Sequence, residues 1–406
     1  MMRKAFGFLL ICLSLCVSSC RDELFLPEHD YVEPIALGET AEQQLVFYIV
    51  GDNNLSSDFQ KDLAEVLEAA SCVPSDSRLL AFVDDKHAPR ILSFFNNDGK
   101  GDYETLHNFE DEMSSCDTVV MGQVFAWIFD NCPTKELDIV FESHGSGWLY
   151  DDGRLPQLYS FGEDGAAGVT SNNKRLYVEE LAALMKRFPV KPRTVMFDAC
   201  FMQCAEVAYA MRDCAEWLIA SPAEIPGAGA PYDRLVPLFF DPAASYSDII
   251  DTYVAAYESN PKDGVVLSAV RLDAMQQLAD ATAMLVKGYL SAGGDGCDGV
   301  AAYLPGGYFK GGYKYPDFYD FNAVMAACVP QAEYDAWREA FDKAVVYAGA
   351  NKSYYSYIIY RAIAVGRECG AMSLFLPKND SRYRQLNVDF TALEWYRAVG
   401  WNEAGW

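Results

Sequence analysis

Histidine is scarce in this sequence: there are four, His29, His87, His107 and His144, in 406 residues. None of the 12 cysteines stands in a Cys-x-x-Cys pair, so the usual zinc-ligand spacings are missing. Positive charge is short as well. The chain has 32 Lys and Arg against 58 Asp and Glu, and its formal net charge of −26 at pH 7 repels phosphates, which argues against nucleic acid and favours cationic substrates. The absence of a G-x-S-x-G elbow removes the common serine-hydrolase nucleophile. There is no internal repeat. The amino-terminal apolar run, Ala5 to Val17, is too short and wrongly flanked to span a membrane.

That run follows Arg3 and Lys4 and leads through Val17, Ser18 and Ser19 into Cys20, the outline of an export signal ending in a bacterial lipobox. The expectation is a signal peptide over residues 1–19 and lipidation of Cys20. The mature protein is then anchored to a membrane by lipid, on the outer membrane or cell surface, rather than spanning it. Residues 20–40 read as an acidic tether carrying Asp22, Glu23, Glu28, Asp30 and Glu33 with Pro27 and Pro34. An acidic stretch directly after the cysteine resembles the surface-export signals of Bacteroidetes lipoproteins. Cys12 and Cys16 leave with the signal, so nine cysteines remain beyond Cys20. An odd number leaves at least one thiol unpaired.

What is present is ample material for a core. The chain is 51% hydrophobic and 14% aromatic, enough for one large or two modest domains. Strands are expected at Gln44 to Val50, Arg78 to Val83, Arg90 to Phe95, from Leu137, from Thr194, and at Val265 to Val270, Val300 to Leu304 and Met372 to Leu376. Helices are expected at Ser57 to Ala70, where Ser57 and Gln60 form a capping box, and at Val178 to Phe188, Phe201 to Arg212, Ser247 to Tyr257, Ala274 to Tyr289 and Glu333 to Ala348. Nearly continuous apolar strands separated by helices predict an α/β protein, a mainly parallel β-sheet flanked by helices in three layers (αβα), with an α-rich C-terminal part. Residues 41–240 form the core and residues 241–406 an extension that continues the sheet with added helices.

Two segments carry chemistry. Leu137 to Trp148, LDIVFESHGSGW, and Arg193 to Met202, RTVMFDACFM, each end an apolar strand in a reactive residue, His144 and Cys200. Ligands of open α/β sheets bind at the carboxyl ends of the strands, where both residues fall. A cysteine next to an imidazole, at the start of a helix whose dipole favours the thiolate, is the arrangement of a nucleophile with its base. Gly145 lets the backbone approach closely, so its N–H and that of Cys200 are the candidate oxyanion donors. Asp198, two residues before Cys200 and on the same side of the strand, is assigned to holding a cationic substrate side chain. Cys204 and Cys214 read as core. Asp84-Asp85 and Asp151-Asp152 could ligate calcium but read more simply as solvated loop acids. No cofactor is required by the sequence, and a metal site is left unassigned.

At these residues the chain resembles the clostripain family of cysteine peptidases (family C11), whose members have the caspase-like fold of clan CD. The resemblance rests on YIVGDNNL at Tyr48 to Leu55 with Asp62 and Glu65 following, HGSGW at His144 to Trp148, DACFM at Asp198 to Met202 with Glu206-Val207-Ala208, and ASPAEIPGAGAPY at Ala220 to Tyr232. SLFLP at Ser373 to Pro377 and Gly400-Trp401 are also similar. It implies endopeptidase cleavage of proteins or peptides after a basic residue, His144 as base and Cys200 as nucleophile. The block from Ala220 is expected to line the substrate pocket, with Asp198 and Glu224 supplying negative charge. The family also implies maturation by cleavage between the His and Cys blocks, for which Arg154, Lys174 and Arg175 are the candidates, and calcium as a requirement of some members. Departures are Gln203 and Cys204 where Gly and Met are usual, and Pro222, Ala223, Ile225 and Ala230 where acidic residues and tryptophan are common. A catalytically silent surface-binding lipoprotein on the same scaffold is the alternative. Retention of His144, Gly145, Asp198 and Cys200 together argues against it. Oligomeric state is not encoded in any motif.

Overall fold

The structure, a computed structural model, describes residues 35–109, 113–149, 161–165, 176–260, 263–295, 297, 299–306, 315–366 and 369–406. Strands β1 (Ala41–Val50), β2 (Arg78–Asp84), β3 (Arg90–Asn97), β4 (Lys100–Asn108), β5 (Thr134–Glu142), β6 (Thr194–Asp198), β7 (Trp217–Ala220) and β8 (Val266–Arg271) lie in one sheet. β9 (Tyr319–Asp320) lies outside it, and β10 (Val345–Ala350) completes it in the order β10-β8-β7-β6-β5-β1-β2-β3-β4. The centre, β7 to β2, is parallel, and the strands beyond it at both edges pair antiparallel. The expected mainly parallel sheet is the observed one.

Alternation along each central strand builds two cores. β1 sends Val46, Tyr48 and Val50 to one face and Leu45, Phe47 and Ile49 to the other; β5 divides Ile139 and Phe141 from Val140 in the same way. Each such buried Val, Ile, Leu or Phe contributes roughly 1.5–3 kcal/mol. The second face is covered by α1 (Ser56–Ala69), α5 (Tyr232–Phe240) and α6 (Tyr246–Ala256). The first carries α2 (Thr118–Asn131), α3 (Val178–Met185), α4 (Ala205–Ala210), α7 (Met275–Leu285), α8 (Phe321–Cys328), α9 (Gln331–Ala344), α10 (Arg384–Phe390) and α11 (Glu394–Ala398). A hairpin of β11 (Ser353–Ser356) and β12 (Arg361–Ala364) and a short pair of β9 with β13 (Ser373–Leu374) complete the described elements.

Several local expectations are corrected. The Ser57–Gln60 capping box does not form: Asn53 accepts from Leu55 N–H and donates to Val50 O, closing a turn that starts α1 at Ser56 with no side-chain cap. The helix expected from Phe201 begins only at Ala205, because Phe201 N–H and Gln203 N–H are taken by Ala223 O and Ser221 O. The helix expected to reach Ala348 stops at Ala344, where the chain turns into β10 and Val345 and Tyr347 pair with β8 on either side of a bulge at Val346. Val300 to Leu304 forms no strand, only a bridge from Ala302 to Tyr319. Among the described residues no helix is long and apolar enough to cross a membrane. The expected signal peptide, Cys20, Asp151-Asp152, Arg154, Lys174 and Arg175 lie outside the described residues.

Candidate active site

β5 and β6 are neighbours with Glu142 paired to Asp198 in register. His144 and Cys200 each follow two residues later, so the parallel register delivers them side by side at the carboxyl edge. Both line one cavity of about 450 Å³. The β5 loop lies hard against the Cys200 turn: a Cβ on Gly145 would sit 2.6 Å from Cys200 O and 3.0 Å from Ala199 Cβ. Phe201 adopts a left-handed φ of +62° to make that turn, which a non-glycine residue holds only when its surroundings enforce it. Its backbone pairing to Ala223 supplies part of that enforcement.

His144 Nε2 is 2.8 Å from Asn54 Oδ1 and 3.6 Å from Glu163 Oε2. Both partners are acceptors, which places the imidazole proton on Nε2 and leaves the lone pair on Nδ1. Burial lowers the His144 pKa, so the ring is neutral near pH 7. Cys200 Sγ accepts from Ile225 N–H at 3.3 Å, yet burial and then the Glu224 carboxylate push its thiol up to about 12. The helix dipole expected to favour a thiolate is not there, since α4 starts only at Ala205. The resting pair is therefore a neutral thiol and a neutral imidazole rather than an ion pair. Among the described residues Gly145 N–H donates to no protein group and Cys200 N–H to none beyond its own thiol.

The cavity is acidic. Asp62, Glu142, Asp198 and Glu224 line it, and no Lys or Arg does among its described lining residues. Asp198 is 5% exposed and fully engaged: Ala230 N–H and Tyr232 OH each donate to Oδ2 at 2.8 Å, and Tyr253 OH donates to Oδ1 at 2.7 Å. It thereby ties β6 to α5 and α6. Glu224 accepts from Tyr357 N–H at 2.9 Å and Ile358 N–H at 3.2 Å, and burial raises its pKa to about 7. Tyr357, beyond the β11 strand, joins the cavity wall. Glu142 is 1% exposed, and its carboxyl oxygens meet no backbone, hydroxyl or cationic donor, only the neighbouring Asp62 carboxyl.

Asn54, Glu163, Asp62 and Glu142 were not assigned roles from the sequence. Glu142 did carry a signal: it ends an apolar strand two residues before His144, the same step that separates Asp198 from Cys200. Asp84 and Asp85 are buried instead of solvated, Asp84 by Ser115 Oγ and Asp85 by Arg90 and His87. Among the described residues no group of three or more His, Cys, Asp or Glu is arranged to hold a metal ion. Cys204 and Cys214 are both buried.

The model of the clostripain family matches residues 47–406. Comparison with curated proteins finds no significant match. Among solved structures, an inactive zymogen C11 protease from Parabacteroides distasonis superposes with a TM-score of 0.75 at 22% identity, covering 89% of this chain and 99% of that one. A secreted C11 cysteine protease from Bacteroides thetaiotaomicron, bound to an irreversible peptide inhibitor, gives a TM-score of 0.74 at 25% identity, covering 89% of this chain and 100% of that one.

Proposed function

The chain belongs to the clostripain family and is a cysteine peptidase, and we propose that it is an endopeptidase that cuts after Arg or Lys, with Cys200 as nucleophile and His144 as base. One observation supports this above others: a single cavity joins Cys200 and His144 to four carboxyl groups, Asp62, Glu142, Asp198 and Glu224, and no described cationic side chain. In this reading His144 Nδ1 takes the thiol proton as Sγ bonds to the scissile carbonyl carbon. The oxyanion that forms is held by Gly145 N–H and Cys200 N–H. Collapse breaks the C–N bond, with the proton passing from Nδ1 to the leaving amine. Water then attacks the thioester, gives its proton to Nδ1 and releases the acid and the thiol.

Basic substrates also help the chemistry. Glu224 and Asp198 oppose thiolate formation at Cys200, and a cation bound among them offsets that field. Selectivity for Arg and Lys therefore shows in kcat as well as in KM.

Fluorogenic peptides differing only in the residue before the cut, tested with and without calcium, decide the matter. Hydrolysis of the Arg and Lys peptides that vanishes in Cys200→Ala is the expected result. Cleavage confined to other residues discards the basic preference and keeps the dyad. Identical traces for wild type and Cys200→Ala on every peptide leave the silent binding lipoprotein. Export and anchoring through Cys20 belong to the same proposal, supported by the secreted C11 protease it resembles. Palmitate labelling lost in Cys20→Ser tests it. Self-cleavage at Arg154, Lys174 or Arg175 predicts two fragments from active enzyme and an intact band from Cys200→Ala.

A further inference from the structure

The carboxyl groups around the cavity are not equivalent. Asp198 is occupied on both oxygens by donors from the fold, and Glu224 on Oε1 alone, its Oε2 having no partner. Glu142, at the end of β5 and facing α1, has no donor on either oxygen other than the Asp62 carboxyl it lies against, and Asp62 has none from the rest of the fold on Oδ2. We propose that Glu142, with Asp62 beside it, grips the cationic side chain of the substrate at the floor of the cavity, and that the pair gives up a proton when the cation enters. The proposal rests on the basic-residue preference inferred above and assigns its anchor to a group other than Asp198.

Cost is the first argument. A buried carboxyl without a partner costs about 1–3 kcal/mol, more when charged, and a strand-end Leu or Gln would avoid most of that. The cavity gives the cost a purpose, since the missing partner can come from the ligand. Position is the second argument. Glu142 and His144 are separated by the same two-residue step as Asp198 and Cys200, about 7 Å of strand rise. The reacting groups and the floor are thus one long side chain apart.

The surroundings of Glu142 explain the proton. Asp62 and Glu65 face it from α1 and Asp198 from β6, all of the same sign. Tyr232 on α5 and Tyr253 on α6 adjoin the cluster and stay neutral, their pKa values raised far above the ordinary one by burial. His144, on the loop beyond β5, is neutral as well, and among the described lining residues of the cavity no Lys or Arg offsets the acids. Burial raises Asp62 to about 8, and burial together with Asp62 raises Glu142 well above the carboxylate range. The two titrate as a pair, and burial and their mutual repulsion favour the protonated forms in the empty pocket. Entry of a guanidinium or ammonium reverses the field. One carboxyl ionises, its proton leaves to solvent, and a carboxylate–cation pair replaces a neutral acid. Binding of basic side chains consequently tightens as pH rises toward 8, whereas binding of neutral side chains does not.

Calorimetry of the Cys200→Ala protein with a short peptide amide ending in Arg, at pH 7 in two buffers of different protonation enthalpy, reads the proton directly. A proton released with the Arg peptide, and none with the isosteric citrulline peptide, supports the proposal. Release of none with either overturns it, and this measurement needs no change to the pocket. In active enzyme, Glu142→Gln is expected to raise KM for Arg peptides roughly 10- to 100-fold and to flatten its pH dependence between pH 6 and 8. If wild type cleaves Arg peptides while Glu142→Gln keeps the same KM and pH profile, Glu142 is not the anchor and the peptidase proposal stands. If wild type cleaves only after uncharged residues, the basic preference fails and this proposal fails with it.

Discussion

β5 buries two acids on the same face, one at its middle and one at its carboxyl end, and treats them differently. Asp138, mid-strand and level with the start of β6, is 0% exposed and receives Arg193 through Nη2 at 2.6 Å and Nε at 3.1 Å, with Gln43 Nε2 at 3.1 Å. Gln43 and Arg193 both reach on to Phe239 O, so Asp138 knits β1, the approach to β6 and the end of α5. Glu142, four residues later at 1% exposure, receives no backbone, hydroxyl or cationic donor and has only the Asp62 carboxyl beside it. A buried charge at the closed edge of the sheet is completed by the fold, whereas one at the carboxyl edge, where ligands of such sheets bind, is left to be completed by something else. A buried acid that the fold leaves without a fixed donor on both oxygens, as it leaves Glu142, is thus a better pointer to the working edge than acidity alone.

The sharpest way to break this contrast is at the closed edge. Arg193→Leu leaves Asp138 as an uncompensated buried charge and is expected to cost about 3–5 kcal/mol of stability in urea unfolding, with KM for an Arg peptide unchanged. A large KM effect with little loss of stability would show that the two edges are not separable. Next, Gly145→Ala at the open edge forces a Cβ against Cys200 O and displaces an oxyanion donor. Its expected effect is a loss of about 100- to 1,000-fold in kcat with a stability cost of about 1–3 kcal/mol from overpacking the turn.

Glu142→Gln comes third, and its sign separates the two acids. Glu142, Asp62 and Asp198 all have folded-state pKa values raised chiefly by burial, so the stability linked to them is present at pH 4 and lost as pH climbs through those raised values. Wild type is expected to melt lower at pH 8 than at pH 5. Glu142→Gln removes one acid that resists ionisation, narrowing the gap and stabilising the pH 8 state by about 1–2 kcal/mol. Equal wild-type midpoints at the two pH values would remove the basis for calling the cluster strained.

The difference between the edges also tracks what was legible in the sequence. The central strands and the His144 and Cys200 positions follow from apolar runs and where they stop, because parallel strands buried on both faces leave an unbroken pattern. β4 was not legible as apolar pattern, since its exposed residues are polar, although Asn97-Asp98-Gly99 with positive φ at Asp98 and Gly99 is the hairpin turn that announces it. β10 was hidden inside a helical periodicity that ends only when pairing with β8 becomes available. The roles of Asp198 and Glu142 could not be ranked from spacing, because both stand two residues before a reactive side chain. Only the tyrosines of α5 and α6, distant in sequence, tell the engaged acid from the open one.

The smallest expected effect lies at the rim of the open edge. His144 has two acceptors on Nε2, Asn54 at 2.8 Å and Glu163 at 3.6 Å, so removing the nearer one loosens the ring without freeing its tautomer. Asn54→Ala is expected to lower kcat about tenfold, the value of one hydrogen bond, with KM unchanged because Asn54 acts through His144. For a peptide with a neutral residue before the cut, the acid limb of kcat/KM in wild type falls below the ordinary imidazole value of about 6.5, since burial lowers the His144 pKa. Asn54→Asp keeps the acceptor and adds a charge. It should restore kcat while moving that acid limb to higher pH, because a carboxylate beside the ring favours the imidazolium. A limb that stays in place, with kcat still reduced, would mean that Asn54 supports the loop rather than the ring, and would leave Glu163 as the group that orients the base.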